Sequence, residues 1–518
     1  MQSLPDINSL SLAEQVAQMI VVRASGYLFD HQIQYPQWEP PAAKLQYWLE
    51  KLGVGGVILL GGSAGEIALR SQQLQNWAKF PLLIAADIEE GVGQRFAGAT
   101  EFPPPMALGA IAQRDLDTAI QYASQMGAVT AQEALAIGIN WVLAPVVDVN
   151  NNPANPVINV RAFGETPEIV SQLTTAFIQG AKKYPVLTAA KHFPGHGDTA
   201  TDSHLELPVV PHAPERLAEI ELPPFRAAIA AGVDAVMSAH LLIPAWDSEY
   251  PATLSQKILT QQLRNNLSFD GLIVTDALVM GAIANRYGTE EAAVLAVEAG
   301  VDILLMPLDP EAAIQAVCTA IESDRISLDR IRTSVERIWQ AKQQVEYAMS
   351  TLQELAQPAA WGTVNNILQE TQIISGSVPI SGDATSRALR NLVVVDNLLN
   401  CDFLSEISPA IAVPKQLGYT TELIDCHTSV TAFESQATLL QLFIRGTPFR
   451  GSAGLTQLAQ DLFKRLFQSG NLQALIVYGS PYVVQEFLPT LPTTTPYLFS
   501  YGQMAAAQLK IMNSLFDL

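Results

Sequence analysis

The densest group of potentially catalytic side chains lies between Lys191 and His204, a stretch with three of the chain's seven histidines. A proline and two glycines within it exclude a regular helix, so the sequence predicts a long loop after a buried strand. Asp202 and His204 are two positions apart, and an extended chain puts such side chains on one side. The carboxylate could then orient the imidazole and stabilise its protonated form.

Metal binding is an alternative use of the same loop. Its possible ligands are His192, His196, Asp198, Asp202 and His204. Metal-dependent hydrolases built on barrels generally draw ligands from several strands, often with a His-x-His pair after the first. Here the first apolar run ends in Val22-Arg23. We therefore expect neither a metal nor a cofactor, and loss of activity on chelation would reveal the alternative. A third possibility is that His192 and His196 only hydrogen-bond the loop to the barrel.

From residue 9 to about 345, short apolar runs alternate with segments of helical spacing. The runs are Met19 to Val22, Gly56 to Leu60, Leu82 to Ala86, Ile139 to Ala144, Val186 to Ala190, Ala235 to Ala239, Leu272 to Thr275 and Ile303 to Met306. Continuous apolar runs of this kind suit strands buried on both faces, and alternation with helices indicates a parallel sheet. Eight repeats predict an α/β fold, a (β/α)8 barrel over residues 1–349.

Polar side chains follow most of these runs, where the active sites of such barrels lie. They include Arg23, Asp87, Asp148, Lys191, His192, His240 and Asp276. A single aspartate after a strand is as often a helix cap as a catalyst, but so many on one rim favour a functional site. Carboxylates, imidazoles and a lysine together suit a neutral, hydroxyl-rich substrate, because each hydroxyl both donates and accepts hydrogen bonds.

The remainder of the chain predicts a linker and a second domain. The last barrel helix is predicted from Leu328 to Met349, and residues 350–385 then lose the helical rhythm, which indicates a linker or a wrap-around segment. Apolar runs over 386–518 predict a smaller αβα layered sheet. Because no proposed site residue lies beyond Asp276, we expect a barrel ending near Met349 to fold and act alone.

Composition excludes several classes of partner. The net charge of -21 opposes binding to nucleic acid. The sequence contains no run of ~18 apolar residues, so it predicts no membrane span. Three scattered cysteines match no disulfide framework, and the first residues do not resemble a signal peptide, so we expect a cytoplasmic protein. The sequence does not predict an oligomeric state.

Two motifs together resemble glycoside hydrolase family 3, in its β-N-acetylglucosaminidase branch. One is the loop from Lys191 to His204, and the other is Gly271-Leu-Ile-Val-Thr-Asp276-Ala-Leu. The resemblance implies a retaining mechanism with a covalent glycosyl-enzyme. It makes Asp276 the nucleophile and His204 the general acid/base, with Asp202 as the partner of the histidine.

The resemblance also implies which residues bind the sugar. These are Asp87, Arg95, Arg161, Lys191 and His192. The alternative for the two arginines is that they are only structural ion-pair partners. One departure from the family pattern follows Asp87, where Gln-Glu-Gly-Gly-Arg is usual and this chain has Ile88-Glu-Glu-Gly-Val92. Glu90 therefore replaces a glycine, and contacts around the sugar are expected to differ.

The function that this resemblance implies is removal of terminal non-reducing β-linked N-acetylglucosamine, in bacteria from cytoplasmic peptidoglycan fragments that bear 1,6-anhydro-N-acetylmuramic acid. Three alternatives stay open. The enzyme could be a β-glucosidase or β-xylosidase, or it could transfer the sugar to phosphate, since a histidine does not repel phosphate as a carboxylate would. A non-catalytic sugar-binding protein on the same fold is the third, because fold does not fix function.

Overall fold

The computed structural model describes residues 4–347, 351–380, 388–397, 401, 403–425, 427–428, 436–446, 457–492 and 494–518. The domain boundaries predicted at 349/350 and 385/386 lie outside the described residues, as does Cys426. Within the described residues the chain forms a parallel barrel followed by a six-stranded sheet.

Eight short parallel strands form the barrel, each at one of the apolar runs. They are β1 (Ile20–Ser25), β2 (Gly56–Leu60), β3 (Leu83–Ala86), β4 (Trp141–Val142), β5 (Leu187–Phe193), β6 (Ala235–Ser238), β7 (Leu272–Val274) and β8 (Leu304–Leu305). From β1 to β7 each strand pairs with the next, and β1 also pairs with β8. A parallel bridge between Val274 and Ile303 joins β7 to the start of β8. The ring is closed, and the predicted (β/α)8 barrel is confirmed.

The helices around the barrel begin and end at recognisable caps. Ser11 Oγ accepts a hydrogen bond from the Glu14 N–H (3.3 Å), and the Glu14 carboxylate accepts one from the Ser11 N–H (2.7 Å). Gly300, at a φ of 113°, ends another helix in a conformation that favours glycine. The barrel helices are Leu12–Gln18, Ala42–Tyr47, Trp48–Leu52, Ala64–Trp77, Met106–Ala112, Leu116–Ala136, Pro167–Ala181, Pro214–Glu219, Leu222–Ala230, Lys257–Asn266, Gly281–Tyr287, Thr289–Ala299, Pro310–Glu322 and Leu328–Gln344.

The segment between the two domains is more ordered than a linker. The last barrel helix ends at Gln344 rather than Met349, because Val345 has extended backbone. A further helix, Pro358–Thr371, packs against barrel helices and is followed by β9 (Ile373–Ser375). Val364, Ile367 and Leu368 are buried in this helix. Their helical spacing is a signal that the polar composition of the segment concealed.

The second domain is a sheet with helices on both faces. Its other strands are β10 (Leu389–Val395), β11 (Thr420–Ile424), β12 (Ala437–Ile444), β13 (Leu472–Gly479) and β14 (Tyr497–Ser500), and its helices are Pro409–Gln416, Gln457–Gln468, Pro481–Phe487 and Ala505–Phe516. The strand order is β11-β10-β12-β13-β14-β9, and among these pairs the one between β14 and β9 is antiparallel. The predicted αβα layered sheet is confirmed.

Apolar packing continues from the barrel into the second domain. One cluster of buried side chains includes barrel residues such as Phe163 and second-domain residues such as Leu440 and Phe463. Tyr482 adds polar contacts, since its hydroxyl donates to Glu165 (2.6 Å) and accepts from Asn150 Nδ2 (3.0 Å). The two domains therefore share an interface on the side of the barrel that holds the strand ends. No helix among the described residues is long and apolar enough to cross a membrane.

Candidate active site

A cavity of about 1030 Å³ opens at the C-terminal ends of the barrel strands. Its walls include Asp87 after β3, Lys191 and His192 at the end of β5, and Asp276 after β7. His204 also lines it, from the loop that follows β5. The volume is at the upper end of the range for small-molecule sites. Four of the strand-end residues singled out in the sequence line this cavity, whereas Arg23, Asp148 and His240 do not.

Asp276 is held in its ionised form. The Ala277 N–H donates to Asp276 Oδ1 (2.8 Å), and the Asp276 N–H donates to the carbonyl of Ser238 at the end of β6 (3.2 Å). Burial acts to raise the pKa of this carboxyl, but nearby imidazoles outweigh burial and lower the pKa to about 2. The imidazoles belong to His192, His240 and His204.

Asp202 and His204 form a hydrogen-bonded pair in the loop. Asp202 Oδ1 lies 2.8 Å from His204 Nδ1 and accepts the His204 backbone N–H at 2.9 Å. The Asp202 side chain is fully buried, whereas a fifth of the His204 side chain is exposed. A buried carboxylate thus fixes one ring nitrogen of an imidazole at the cavity wall. The two residues pair as expected, but in a turn rather than an extended chain, since the N–H groups of Leu205 and Glu206 donate to the Asp202 carbonyl.

His196 stabilises this loop from within. Its Nδ1 lies 2.8 Å from Thr199 Oγ1 and its Nε2 lies 2.9 Å from Ser203 Oγ. Asn155 Nδ2 donates to the carbonyls of His196 (2.8 Å) and Gly197 (3.0 Å). Burial lowers the pKa of His196 to about 4, so this imidazole is neutral at neutral pH. The His196 side chain therefore holds the loop in shape from within, while its backbone is hydrogen-bonded to the segment after β4.

Asp148 orients His192 and the start of the loop. Asp148 Oδ2 lies 2.8 Å from His192 Nδ1, while Oδ1 accepts the backbone N–H groups of His192 (3.2 Å) and His196 (2.7 Å). His192 and its neighbour Lys191 both line the cavity, although consecutive strand residues normally face opposite sides. The pairing of β5 with β6 shifts register between Lys191 and Phe193, and this bulge brings both side chains to one side.

Lys191 and Arg161 meet two carboxylates beside the nucleophile candidate. Lys191 Nζ lies 2.7 Å from Asp87 Oδ1 and 2.6 Å from Glu89 Oε1. Arg161 donates to both oxygens of Glu89 at 2.8 Å. Burial acts to raise the pKa of Glu89, but Arg161 and Lys191 outweigh it and hold the pKa well below its usual range. Arg95 completes the predicted set, and its Nε donates to the Asp87 carbonyl (3.0 Å).

Both domains of this chain match known protein families. Residues 11–341 match the family described as Glycosyl hydrolase family 3 N terminal domain. The chain belongs to glycosyl hydrolase family 3. Residues 383–517 also match the Bacterial Glycosyl hydrolase family 3 C-terminal domain. The family predicted from the two motifs is confirmed.

Several known proteins are similar to this chain. Beta-hexosaminidase A of Pseudoalteromonas piscicida is 34% identical over 60% of this chain and 57% of its own length. The beta-N-acetylglucosaminidase/beta-glucosidase of Cellulomonas fimi is 32% identical over 57% of this chain and 53% of its own length. This chain thus spans little more than half of either relative. A family 3 beta-N-acetylglucosaminidase structure from Paenibacillus sp. str. FPU-7 superposes with a TM-score of 0.81 at 31% identity, covering 98% of this chain and 97% of that chain.

The possible metal ligands of the loop engage different partners in this family 3 protein. His192 contacts Asp148, His196 contacts Thr199 and Ser203, and Asp198 lies 2.8 Å from His212 Nε2. In the part of the chain that the structure describes, no group of three or more His, Cys, Asp or Glu side chains is placed to hold a metal ion. These contacts favour structural and acid–base roles over metal coordination.

Other cavity residues were not predicted as site residues. Glu89 had a signal, since it lies two positions after Asp87. Asp148, which orients His192 without lining the cavity itself, also had one, since it follows a strand. Arg445 had none, because it is 355 residues from its partner Glu90. The sequence assigned no second-domain residue to the site, and the structure places three such residues, Arg445, Phe403 and Met504, in the cavity wall.

Proposed function

We propose that this family 3 member is a retaining β-N-acetylhexosaminidase that removes terminal non-reducing β-linked N-acetylglucosamine. The observation that carries the proposal is that the ionised Asp276 lines the same cavity as His204, whose Nδ1 is paired with the buried Asp202. A carboxylate nucleophile and a separate proton donor are what a two-step displacement requires. The names of the two relatives and of the Paenibacillus structure support the same activity.

In the first step Asp276 attacks the anomeric carbon of the sugar. A bond forms between its carboxylate oxygen and that carbon, the glycosidic C–O bond breaks, and the leaving oxygen keeps the electron pair. His204, protonated on both ring nitrogens, donates the Nε2 proton to that oxygen. Asp202 accepts the other N–H at Nδ1 and stabilises the imidazolium before transfer.

In the second step the same groups release the sugar. His204 Nε2, now without its proton, accepts a proton from water as the water oxygen attacks the anomeric carbon. The bond to Asp276 breaks, the carboxylate is regenerated, and the product keeps the β configuration. The low pKa of Asp276 also makes its carboxylate a good leaving group in this step.

The charged network beside Asp276 suits binding of sugar hydroxyls. Lys191, Arg161 and Arg95 offer donors, while Asp87 and Glu89 offer acceptors. His192, oriented by Asp148, adds a donor or acceptor on the same wall. We assign the five residues predicted from the family, Asp87, Arg95, Arg161, Lys191 and His192, to binding of the terminal sugar.

The natural substrate is a finer proposal. We assign the enzyme to turnover of peptidoglycan fragments in the cytoplasm, on the strength of the family branch that its loop resembles. The chain has three cysteines, widely spaced in the sequence, and this low cysteine content suits a reducing compartment. Cell fractionation followed by release of N-acetylglucosamine from 1,6-anhydro-muropeptides tests both parts, and activity confined to chitin fragments would contradict the substrate.

One observation favours a second candidate activity. The Cellulomonas fimi relative carries the name of a beta-glucosidase as well as a beta-N-acetylglucosaminidase. A panel of chromogenic β-glycosides (N-acetylglucosaminide, glucoside and xyloside), each assayed with and without phosphate, separates these activities. A glucoside or xyloside cleaved faster than the N-acetylglucosaminide would contradict the proposed specificity, and a phosphate-dependent rate would identify a phosphorylase.

Trapping tests the nucleophile directly. A 2-fluoro or 5-fluoro glycosyl donor should label Asp276 in peptide mass mapping, and Asp276→Asn should abolish turnover. Asp270→Asn is a matched control, because Asp270 is an exposed carboxylate just before β7 and does not line the cavity. A label on another carboxylate would refute the assignment.

A further inference from the structure

The second domain places a cation in the wall of the barrel cavity. Arg445 follows β12 directly, and its Nη1 donates to Glu90 Oε2 (3.1 Å) while its Nη2 donates to the other oxygen of the same carboxylate. The Glu90 side chain is only 2% exposed, and that of Arg445 is 21% exposed. Both line the cavity that holds Asp276 and His204. This is a bidentate ion pair between domains, largely removed from solvent.

We propose that Arg445 is a positioning residue of the active site, supplied by the second domain and acting through Glu90. The inference rests on the proposed glycosidase function for its readout. Glu90 stands where the family pattern has glycine, so this carboxylate and the need to neutralise it are features of this chain.

Charge balance in the wall supports this role. Three carboxylates lie together there, those of Glu89, Glu90 and Glu101. Lys191 and Arg161 are engaged by Glu89 and Asp87. Among the described residues, the Glu90 side chain forms its ion pair with Arg445. Without Arg445, Glu90 would be a buried charge with no counterion beside two other carboxylates.

The position of Glu90 in the chain indicates which residues would be displaced if its charge had no counterion. Glu90 lies in the turn between Asp87 and Arg95, which are assigned to sugar binding. Its own N–H donates to Gln94 Oε1 (3.0 Å) and its carbonyl accepts the Phe102 N–H (2.8 Å). A displaced Glu90 would therefore displace the turn that carries those two residues.

The residue after Arg445 contacts the second sugar-binding segment. A Cβ on Gly446 would lie 2.7 Å from Asn159 Cβ and 3.1 Å from the Pro156 carbonyl, so only the bare backbone fits against this turn. The turn leads into Arg161, which pairs with Glu89. The stretch of Arg445 and Gly446 thus touches both barrel segments that bear sugar-binding residues.

The test compares Arg445→Gln with the double variant E90Q/R445Q in the full chain, using a chromogenic N-acetylglucosaminide. Truncating one partner of a buried charge pair is costly because the other is left uncompensated, so Arg445→Gln should raise KM by about 10- to 100-fold with a smaller change in kcat. The double variant buries no unpaired charge and should recover most of the lost kcat/KM. Arg445→Lys keeps the charge and should be intermediate, which preserves the test if the glutamine variant does not fold.

Tyr482→Phe is the matched control for domain docking, because Tyr482 joins the same two domains without lining the cavity. Its KM should stay within about twofold of wild type, as expected when the two interface hydrogen bonds of one hydroxyl are lost away from the substrate. A wild-type KM for Arg445→Gln would overturn the proposal, as would a double variant no better than the single one. Equal KM increases in Tyr482→Phe and Arg445→Gln would attribute the effect to docking alone and overturn it as well. If all glycosides are inert even in the wild type, the proposed function fails instead.

Discussion

The backbone carbonyl of His204 accepts a hydrogen bond from the N–H of Gly281, at 3.2 Å. Gly281 is the first residue of the helix Gly281–Tyr287, five positions after Asp276. The loop that carries the proposed acid/base is thus anchored to the segment that carries the proposed nucleophile. Their separation depends on how closely the two backbones approach.

Gly281→Ala should loosen this anchor. A Cβ at Gly281 would lie 3.0 Å from the His204 carbonyl oxygen and 3.2 Å from that of Leu205, so the loop must move by a few tenths of an ångström. Misplaced catalytic groups lose rate steeply, by up to about 10²-fold for ~1 Å. We expect kcat for a natural disaccharide to fall about 3- to 30-fold at an unchanged melting temperature.

Gly65→Ala is the control for that variant. Gly65 also lies in the first turn of a helix, Ala64–Trp77, and a Cβ there meets no atom within 4 Å. It should leave kcat unchanged. If Gly281→Ala is equally harmless, the contact does not fix the position of His204.

His204→Ala should affect substrates according to their leaving groups. General acid catalysis contributes about 10²–10⁴-fold when the departing oxygen needs a proton, and a dinitrophenolate needs it least. We expect natural disaccharide cleavage to slow by that factor while glycosylation by a dinitrophenyl glycoside slows far less. Rates across a leaving-group series measure the difference.

His212→Ala serves as the comparison for His204→Ala. His212 follows the loop that carries His204, and it also pairs with an aspartate, Asp198, but it does not line the cavity. Any loss in this variant should be uniform across leaving groups. The same uniform loss in His204→Ala would indicate a structural role for His204.

Much of the site could be predicted because barrel topology converts sequence order into position. Residues that follow buried parallel strands meet at one rim. The sequence alone therefore predicted that Asp87, Lys191, His192 and Asp276 lie close together. The sequence also predicted that Asp202 pairs with His204, although it predicted an extended chain where the structure has a turn. In each case the local sequence is sufficient for the prediction, because every strand of the barrel ends at the same rim.

Contacts between distant segments could not be predicted in this way. Nothing near Arg445 indicates that it faces Glu90, since the pairing depends on how the second domain docks. Strands β9 and β11 were not predicted because they are the edge strands of the sheet: all three side chains of β9 are exposed, and only one of the five in β11 is buried. Edge strands give neither a continuous apolar run nor a clear alternation.

Glu101 should make stability depend on pH. Burial, and next the Glu90 charge, raise the pKa of Glu101 from 4.5 to about 7, with Arg445 opposing. Between pH 4.5 and about 7 the folded state therefore binds more protons than the unfolded state. The stability that the protonated Glu101 contributes is fully present below pH 4.5 and is lost as the pH rises to about 7. Glu101→Gln removes that loss.

Melting temperatures at pH 5 and pH 8 measure this effect. The advantage of Glu101→Gln over wild type should be larger at pH 8 than at pH 5, where the wild-type carboxyl is protonated in the folded state. Glu336→Gln changes an exposed site on the helix Leu328–Gln344. Its melting temperature should differ from that of the wild type by the same amount at pH 5 and at pH 8. An advantage that shrinks on going to pH 8 would contradict the shift in the pKa of Glu101.

Removal of the second domain should cost both solubility and activity, contrary to what the sequence led us to expect. A chain ending after Tyr347 lacks Arg445 and so leaves Glu90 as an unpaired charge at the sugar-binding turn. It also exposes barrel side chains that now share an apolar cluster with Leu440 and Phe463. We expect a self-associating protein with a kcat/KM reduced at least about tenfold, as for loss of a buried charge partner. Size-exclusion chromatography and assay of the monomeric fraction test this. A monomer with the wild-type kcat/KM would show that the barrel completes its site alone.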